Sequence, residues 1–492
     1  MDLPKNWAHC TVADITTPIE TIDFAGSNEH EVSYVDIGSI NNKSNIILEP
    51  KHYRLSEAPS RARQIIKSGD VLFSTVRPYL RNIAQVPESL DGQIASTGFA
   101  VLRAPSGVNA RYLFYKAISY PFVSALSGVQ YGASYPAVRD EQVRAQLIEL
   151  PPTQEQRRIV AKIEELFSEL DKGVEALTTA REQLKAYRQS VLKHAFEGKL
   201  TDGWRIENAG KIEEADILSG RLVKEREERY RDSIRDWQAA LAKWRTEGGG
   251  DAKPAKPSSP RELSKLAKAG SNNGRWALLE LGDVLSVSSG TGLTSQQMRE
   301  GPYPVYGGNG INGSHDEYFV DRPELTIGRV GAKCGVTHIT IPKCWVTDNA
   351  LIVKPLIKSF NKRFFKWLLD TKNLNGLGSS TGQPVISGSK IYPVMIVVPS
   401  LHEQSEVVRI LEDKIGAADR MTAEIDEELV RSNALRQSIL KEAFSGQFVA
   451  QDPTDEPASV LLERIRAERN KADAKKPGRK TKKIKKEKET AR

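Results

Sequence analysis

The sequence predicts an α+β fold in which two mixed α/β domains are separated by a long antiparallel two-helix coiled coil, with an internal tandem repeat and pseudo-two-fold symmetry. Three observations predict this fold. The 492 residues are too many for one hydrophobic core, because such a core usually stops growing at roughly 250–300 residues. A helical segment occurs twice, 248 residues apart, and a stretch rich in short β-type runs precedes each copy.

The repeat is clearest where residues 151–198 align without gaps with residues 399–446, since 15 of the 48 positions are identical. Chance would give about three identities, so this is an internal repeat. The similarity continues outward. "WAHCTVADI" near the start resembles "WALLELGDV" at 276–284, and "ADILSGRLVKER" at 215–226 resembles "ASVLLERIRAER" at 458–469. The chain is therefore two homologous halves in tandem.

Short β-type runs, punctuated by Gly, Pro and Asn, fill the 120–150 residues before each helix. They are "EVSYVDIG", "DVLFSTVR", "FAVLR" and "AQLIEL" in the first half, and "LTIGRV", "GVTHITI", "ALIVKP" and "PVMIVV" in the second. Such runs predict mixed α/β domains in which sheet predominates.

Each repeated segment predicts a long helix. Thr153 with Gln156, and Ser400 with Glu403, fit the capping-box pattern of a helix start. Apolar residues follow at coiled-coil spacing. In the first copy they are Ile159, Ile163, Leu166, Leu170, Val174, Leu177, Leu184, Val191 and Ala195, and in the second Leu411, Ile415, Ala418, Ile425, Leu429, Ile439 and Ala443.

The predicted helices end at Gly198 and Gly446, which stand where a C-terminal cap glycine would. Each helix of about 44 residues would be roughly 65 Å long. The narrow apolar stripe favours pairing of the two copies, and antiparallel packing would then place the two domains at opposite ends. Docking of each helix on its own domain is the alternative.

The remaining segments read as connections. Residues 201–272 contain a charged helical stretch and the Gly/Pro/Lys-rich "TEGGGDAKPAKPSSP", which is typical of a flexible linker. The last 22 residues hold 11 Lys/Arg and 3 Asp/Glu, which equals the +8 net charge of the whole chain. This tail is disordered by composition. It could attract phosphates without sequence preference or have no specific role.

Composition and motifs exclude several classes of protein. No apolar run reaches the ~18–20 residues of a membrane span, and no signal peptide precedes the first domain, so we expect a cytoplasmic protein. Cys10, Cys334 and Cys344 form no CxxC pair, and we expect them to be buried. No phosphate loop or HExxH motif occurs, and "GNGING" (308–313) fits a turn-rich loop. We predict no catalytic residues and no metal site.

Polar, basic and aromatic residues are interleaved in loops of both halves, the composition of base and phosphate contacts. Each loop alone is also compatible with ordinary turns, but their recurrence in both copies favours nucleic-acid binding. The candidate DNA-binding residues of the first domain are Ser74, Thr75, Arg77, Tyr79, Arg81, Ser96, Thr97, Gln130, Tyr131, Ser134 and Tyr135. Those of the second domain are Asn309, Asn312, Ser314, His315, Arg329, Lys333, Thr347, Asn349, Ser380, Thr381 and Gln383.

Several phrases together resemble one family, the specificity subunits of type I restriction-modification systems. They are "GDVLFSTVRPYLRNIA", "IASTGF", "ASYPAVR", "LPPTQEQRRIVAKIEELF", "YPVYGGNGINGSHDEY", "GRVGAKCG", "TGQP" and "VPSLHEQSEVVRILE". The resemblance covers the chain up to about residue 470. This chain departs from an exact repeat at "HEQ", which replaces "QEQ", and at Lys414 and Ser432, which replace Leu166 and Leu184.

The resemblance implies a sequence-specific DNA-binding protein that recognises a bipartite site. Each domain would be a target-recognition domain for one half-site, and the helices would set the gap. Adenine methylation and restriction would be carried out by two methyltransferase subunits and by restriction/translocase subunits. S-adenosylmethionine, ATP and Mg would bind those partners and no cofactor would bind this chain. The candidate partner-interface residues are Glu155, Gln156, Arg188, Gln189, Lys193, Phe196, Glu403, Gln404, Arg436, Gln437, Lys441 and Phe444.

The predicted organisation follows from the repeat and this resemblance. The segments are target-recognition domain 1 (1–150), spacer helix copy 1 (151–200), charged helix and linker (201–272), target-recognition domain 2 (273–398), spacer helix copy 2 (399–448), short C-terminal helix (449–470) and basic tail (471–492). The alternatives are a stand-alone DNA-binding regulator or anti-restriction decoy, and a coiled-coil scaffold with no nucleic-acid role. An enzyme with its own active site is the third, and the motif search counts against it.

Overall fold

The structure, a computed structural model, describes residues 3–22, 30–128, 136–246, 253–257, 259, 275–331, 333–378 and 384–474. The chain divides into two compact units. Unit 1 comprises residues 1–178 and 426–492, and unit 2 comprises residues 179–425. Each unit therefore contains one α/β domain and a portion of each long helix.

The first domain, in unit 1, is built mainly from short strands. These are β1 (Ala8–Thr11), β2 (Glu31–Val35), β3 (Ile40–Asn41), β4 (Ile46–Ile47), β5 (Lys51–Arg54), β6 (Ala62–Ile65), β7 (Val71–Ser74), β8 (Ile83–Gln85), β9 (Ile94–Ser96), β10 (Phe99–Leu102) and β11 (Leu147–Leu150). Its helices are α1 (Ala110–Ile118), α2 (Tyr120–Ser127) and α3 (Asp140–Arg144).

The strands of the first domain pair into a four-stranded sheet, β5-β2-β9-β6, and a three-stranded sheet, β10-β7-β8. Only the β2 and β9 pair is parallel among these. Strand β1 pairs antiparallel with β11, with Ala8 opposite Leu150, and the chain then continues into the first long helix. The core gathers Phe73, Tyr112 and Leu113 of the domain with Ile159 of that helix.

The described residues between the two domains form the helices α4 (Thr153–Phe196), α5 (Asp202–Glu207) and α6 (Ala215–Thr246). The strands of the second domain, in unit 2, are β12 (Ala277–Glu280), β13 (Leu285–Ser289), β14 (Tyr303–Gly307), β15 (Gly310–His315), β16 (Leu325–Gly328), β17 (Thr337–Ile339), β18 (Trp345–Val346), β19 (Ala350–Pro355) and β20 (Met395–Val398). The helices that follow or interrupt them are α7 (Leu281–Val284), α8 (Lys362–Asp370), α9 (Gly388–Ile391), α10 (Leu401–Ala443) and α11 (Ala458–Ala474).

The second domain repeats the plan of the first. Strand β12 pairs antiparallel with β20 as β1 does with β11, and the order β19-β16-β17 corresponds to β10-β7-β8. The sheet of order β15-β14-β18 corresponds to β5-β2-β9, since β14 pairs parallel with β18 as β2 does with β9. The second domain adds β13 beside β19. All eight β-type runs predicted from the sequence contain a strand, which confirms the predicted sheet-rich domains. "GNGING" (308–313) comprises the turn of the β14–β15 hairpin and the first residues of β15, so it is not the turn-rich loop that the sequence suggested.

The helices α4 and α10 pack together as an antiparallel pair. In unit 1 Arg436 of α10 forms an ion pair with Asp171 of α4, and in unit 2 Arg188 of α4 forms one with Asp419 of α10. The two ion pairs are related by the 248-residue repeat. The predicted seam is buried where the helices meet a domain, as at Ile163, and half-buried along the middle of α4.

The starts of the long helices differ from the predicted capping boxes. Thr153 Oγ1 donates to Gly107 O at 2.8 Å, and the N–H that it was predicted to cap, Gln156 N, donates to Pro152 O at 2.9 Å. Ser400 Oγ accepts from Glu403 N at 3.4 Å, which is half of a capping box. The Glu403 carboxylate accepts instead from Thr201 Oγ1 at 2.7 Å. Long-range hydrogen bonds therefore replace the local reciprocal ones that the sequence pattern suggested.

The buried amides of Gln156 and Gln404 anchor the helices to their domains. Gln404 Nε2 donates to Ser359 O and Pro399 O, each at 3.0 Å, and its Oε1 accepts from Asn361 N at 2.9 Å. Gln156 makes two equivalent bonds. Its Oε1 accepts from Asn109 N at 2.7 Å, and its Nε2 donates to Pro151 O at 2.9 Å. The "EQ" of the repeat thus fixes each helix on its own domain.

The long helices end near left-handed glycines, as predicted, with φ of 75° at Gly198 and 83° at Gly446. The helices that follow them pack on the domains. In unit 2, Leu218 and Leu222 of α6 enter the core of the second domain. In unit 1, Leu461 of α11 and its buried neighbours enter the core of the first domain. Each domain is therefore completed by the helix that follows the long helix of the other half.

No helix in the described parts of the chain is long and apolar enough to cross a membrane. The three cysteines are free and buried, as expected.

Candidate nucleic-acid interface

A backbone junction forms where β7 of the first domain ends. Thr75 N donates to Gly98 O at 2.9 Å, Arg77 N donates to Pro136 O at 2.7 Å, and Val138 N donates to Thr75 O at 2.8 Å. These bonds bring the 74–82 loop together with the 96–98 turn and the segment that follows residue 135. Three loops predicted from the sequence thus meet at one place.

The second domain builds the same junction where β16 ends. Arg329 N donates to Asn349 O at 2.8 Å, Gly331 N donates to Pro384 O at 3.1 Å, and Ile386 N donates to Arg329 O at 2.9 Å. Bond for bond, this repeats the pattern of the first domain. We call the two sites loop junction 1, formed by residues 75–77, 98 and 136–138, and loop junction 2, formed by residues 329–331, 349 and 384–386.

The backbone of the two junctions is the same, but the side chains differ. Thr75 in junction 1 occupies the place of Arg329 in junction 2, and Arg77 occupies the place of Gly331. Donor and acceptor side chains read base edges, while backbone geometry only positions them. The pair of junctions can therefore present two different recognition chemistries from one scaffold.

The 74–82 loop of junction 1 contains two arginines with left-handed backbone, Arg77 (φ 48°) and Arg81 (φ 57°), on either side of the turn Pro78–Leu80. Non-glycine residues seldom adopt this conformation, and it concentrates at functional sites. The Arg81 guanidinium is turned inward and donates to Ile118 O at the end of α1. Through this bond the side chain supports the loop, and burial lowers the pKa of Arg81.

The other predicted residues of the first domain differ in exposure. Tyr79 and Thr97 are exposed, and Thr75 and Arg77 are half-buried. Ser74 and Ser96 are buried and bond within the loop: Ser74 Oγ donates to Val76 O and Ser96 Oγ accepts from Gly98 N. Gln130, Tyr131, Ser134 and Tyr135 lie outside the described residues.

Sequence reasoning missed the β3–β4 hairpin, which supports the 74–82 loop. Asn45 Nδ2 donates to Ile83 O at 2.9 Å, and Asn42 Nδ2 donates to Leu80 O at 2.9 Å. Asn45 itself is left-handed, with φ of 56°. The Asn-rich "NNKSN" between two Ile-containing runs was the available signal for this turn.

Junction 2 depends on a close backbone approach. A Cβ on Gly328 would lie 2.1 Å from Gly308 O, so only glycine fits where β16 passes the β14–β15 turn. The Arg329 side chain is half-buried. Its Nη1 donates to Ser289 Oγ at 3.2 Å and to Asp348 O at 3.3 Å. These bonds hold the guanidinium at the edge of the junction.

Several predicted residues of the second domain line a concave depression of about 430 Å³ beside junction 2. Asn309, Asn312, Lys333 and Asn349 are among its lining residues, and all four are exposed. Amide and ammonium groups suit adenine, guanine and phosphate contacts. The structure therefore brings together residues that are up to 40 positions apart in the sequence.

The remaining predicted residues of the second domain do not join this depression. Ser314 is exposed on β15. His315 is buried, accepts from Arg299 N through Nδ1 at 3.1 Å, and packs edge-on against Trp345. Thr347 is also buried. Ser380, Thr381 and Gln383 lie outside the described residues.

The predicted partner-interface residues fall into two groups. Glu155, Gln156, Glu403, Gln404 and Phe444 are buried within the chain, where they fix the helices on the domains. Phe196 packs edge-on against a phenylalanine of α8 as Phe444 packs against a tyrosine of α1. The residues that retain solvent exposure are Arg188, Gln189, Lys193, Arg436, Gln437 and Lys441.

Comparison with known proteins bears on what this scaffold is. The family model for the type I restriction modification DNA specificity domain matches residues 273–431. The chain is 24% identical over 391 residues to the EcoKI specificity subunit of Escherichia coli K12, covering 77% of this chain and 76% of the relative. It is 24% identical over 508 residues to the StySPI specificity subunit of Salmonella potsdam, covering 97% and 98%.

Solved structures show the same architecture. One chain, from a structure of assembly and conformational transition in the type I R-M system, has a TM-score of 0.68 and 26% identity, covering 91% of this chain and 100% of that one. Over most of its length, the chain is thus similar to type I restriction enzyme specificity subunits. The HsdS subunit of Thermoanaerobacter tengcongensis is a further similar structure, with a TM-score of 0.50, 25% identity and coverage of 91% and 98%.

The chain has a duplicated plan in both of its halves. The family model matches the second half alone, whereas the repeated hydrogen bonds of junctions 1 and 2 tie the first half to the same plan. In the described residues, no group of three or more His, Cys, Asp or Glu side chains could hold a metal ion.

Proposed function

We propose that this chain is a specificity subunit that recognises a bipartite DNA sequence, with junction 1 reading one half-site and junction 2 reading the other. The observation that carries the proposal is the identical backbone hydrogen bonding of the two junctions around different side chains. Two junctions with the same backbone and different side chains suit a DNA site whose two halves differ in sequence.

The antiparallel helices α4 and α10 would act as the spacer between the half-sites. Their ion pairs, Arg188 with Asp419 and Arg436 with Asp171, follow the pseudo-two-fold relation of the repeat. Such symmetry presents equivalent surfaces twice, which suits two copies of one partner. We infer that two methyltransferase subunits bind these surfaces and that Arg188, Gln189, Lys193, Arg436, Gln437 and Lys441 contribute to them.

The chemistry would then belong to the partner subunits. Methylation of adenine with S-adenosylmethionine, and ATP- and Mg-dependent restriction by translocase subunits, would be directed by this chain without a cofactor of its own. We place the assembly in the cytoplasm, where chromosomal and invading DNA are accessible.

The test is methylome sequencing of a host that expresses the methyltransferase subunit with and without this chain. We expect an interrupted, asymmetric, adenine-methylated motif only when this chain is present. A variant whose residues 1–150 come from another specificity subunit should change one half of that motif and leave the gap intact. Changes in both halves would contradict the assignment of one domain to each half-site.

If no methylation depends on this chain, the remaining classes separate by binding. A stand-alone regulator or decoy would bind its DNA site tightly without partners. If the chain is a scaffold without a nucleic-acid role, the variants Arg77→Ala and Arg329→Ala should have the same activities as the intact chain.

A further inference from the structure

We propose that a basic cleft beside junction 2, between β17 and the end of α8, binds a phosphodiester of the DNA backbone that flanks the second half-site. The inference rests on the proposed DNA-reading function and, apart from Lys333, assigns residues that the sequence did not suggest. We call this site the α8 cleft and define it by Lys333, His338, Lys366, Asp370 and Lys372 together with their neighbours.

The α8 cleft is continuous with the predicted reading surface. It is an open concavity of about 950 Å³, and Asn309 and Lys333 line both it and the 430 Å³ depression at junction 2. The two walls of the cleft are held close together at Gly335 (φ +87°), where a Cβ would lie 2.8 Å from Asn375 N. A DNA strand that contacts the reading loops would thus pass the cleft.

The charge of the cleft favours an anion. Three lysines, Lys333, Lys366 and Lys372, line it against one carboxylate, that of Asp370. Asp370 is already engaged, since Lys366 Nζ lies 2.7 Å from Oδ2 and Thr337 Oγ1 donates to Oδ1. Its charge is therefore balanced within the cleft, and Lys333 and Lys372 provide the excess positive charge.

Two groups in the cleft lack the partners that burial normally requires. Lys372 is half-buried, and loss of water alone lowers the pKa of its ammonium group. Nε2 of His338 is buried, and the described residues offer it no hydrogen-bond partner. Burial, followed by the charge of Lys366, lowers the pKa of His338 and favours the neutral ring. The Lys372 side chain is partly accessible, so an anion in the cleft would supply the partner that its ammonium group lacks.

A phosphodiester oxygen fits these requirements better than a base edge. Lysine acts as a compact point charge toward phosphate. The open cleft also suits a polymer that continues past it. Contacts of this type position the protein on DNA without reading sequence. The cleft should therefore contribute affinity equally on all sequences, whereas junction 2 should determine the preference.

The experiment uses the assembled complex of this chain with its methyltransferase subunits. Binding to a fluorescent duplex that carries the recognised motif, and to one with a scrambled motif, is measured by anisotropy between 50 and 200 mM salt for the wild type, Lys372→Gln and Lys333→Gln. Lys354→Gln is the matched control, because Lys354 is exposed in the same domain but lines a different cavity. Lys372→Arg keeps the charge.

Each cleft variant should reduce the slope of log K against log salt by about 0.9, so that the fourfold rise in salt weakens binding about 3.5-fold less than in the wild type. Lys372→Gln should affect both duplexes equally and should leave the methylated motif unchanged. Lys354→Gln should keep the wild-type slope and Lys372→Arg should restore it. Competition by inorganic phosphate at concentrations too low to alter ionic strength should be absent, since the cleft needs the polymer.

The cleft assignment would be overturned if both cleft variants kept the wild-type slope of log K against log salt, or if Lys354→Gln reduced that slope as much as Lys372→Gln. Either result would leave the proposed reading function intact. A wild-type complex that binds both duplexes equally, with no motif in the methylome, would instead contradict the proposed function itself. A changed motif in Lys372→Gln would show that the cleft reads bases and would refute the phosphate role.

Discussion

Gly328 allows a direct test of the second reading junction. A Cβ at this position would lie 2.1 Å from Gly308 O and 3.2 Å from Lys333 O. Real Cβ atoms hardly ever approach another heavy atom within 3.0 Å. The substitution Gly328→Ala must therefore displace the β14–β15 turn by about 0.9 Å, the difference between the 2.1 Å approach to Gly308 O and the 3.0 Å limit. Because that turn carries Asn309, the displacement moves the predicted reading surface.

The expected effect is large enough to measure. Overpacking of this kind costs about 1–3 kcal/mol, which corresponds to a fall of about 5- to 140-fold in binding or in methyl-transfer efficiency. The substitution leaves the first domain unchanged, and that domain has Ser74 at the equivalent place at the end of β7. Recognition of the half-site assigned to the first domain should therefore be unaffected. Loss of discrimination is thus expected in the second half-site only.

The assay is methyl transfer by the assembled complex to duplexes altered in one half-site at a time. Gly220→Ala is the matched control, since nothing lies within 4 Å of a Cβ at Gly220 and alanine favours the helix by about 1 kcal/mol. If Gly328→Ala methylates at the wild-type rate with unchanged preference in the second half-site, the argument that junction 2 positions the reading loops is refuted.

Three further predictions concern the scaffold. Gln404→Ala removes the three hydrogen bonds of a buried amide and should lower the unfolding free energy of unit 2 by about 3 kcal/mol, measured by urea-dependent hydrogen exchange. Gln189→Ala, at an exposed position, should change that free energy by less than about 0.5 kcal/mol. Equal effects would contradict the anchoring role of Gln404. Reversing Arg188 to Asp should destabilise unit 2 by up to about 1 kcal/mol, and adding Asp419→Arg should restore it, so a double variant no more stable than the single one would count against the ion pair. Burial raises the pKa of the Glu155 carboxyl above 4.5. The stability that this group contributes is therefore present below pH 4.5 and is lost as pH rises through the raised pKa. Glu155→Gln should make the urea midpoint depend less on pH, and an unaltered pH profile would refute burial of Glu155 as the cause.

Local patterns in the sequence predicted the two sheet-rich domains and the long helices. Short β-type runs bounded by Gly, Pro and Asn predicted eight strands, but shorter strands such as β3 and β4 gave no such run. The helices followed from apolar residues at heptad spacing. These signals are local, so they do not depend on which parts of the chain later come together.

Long-range choices were not predictable in the same way. The capping box of Thr153 fails because the Gln156 side chain that would complete it accepts instead from Asn109 N, 47 residues away. The docking of α11 on the first domain depends on complementarity between surfaces more than 300 residues apart in the sequence. Local composition carries no signal for either contact.

The candidate site was predicted in part. Loop composition identified the loops that meet at junctions 1 and 2, and the repeat indicated that they are equivalent. It could not distinguish Ser74 and Ser96, whose hydroxyls bond within the fold, from exposed Tyr79 and Thr97. Hydroxyl side chains serve turns and ligands equally well, and only the backbone path decides between the two.

The completion of each domain by the helix from the other half has a consequence for synthesis on the ribosome. The core of unit 1 includes Leu440 and Leu461, which emerge long after Thr178, whereas unit 2 is contiguous and ends at Ile425. At roughly 5–20 residues per second, the first domain waits on the order of 10–50 s with an incomplete core. The second domain, although translated later, is therefore the first to finish folding, and the nascent first domain is the segment that chaperones would need to protect.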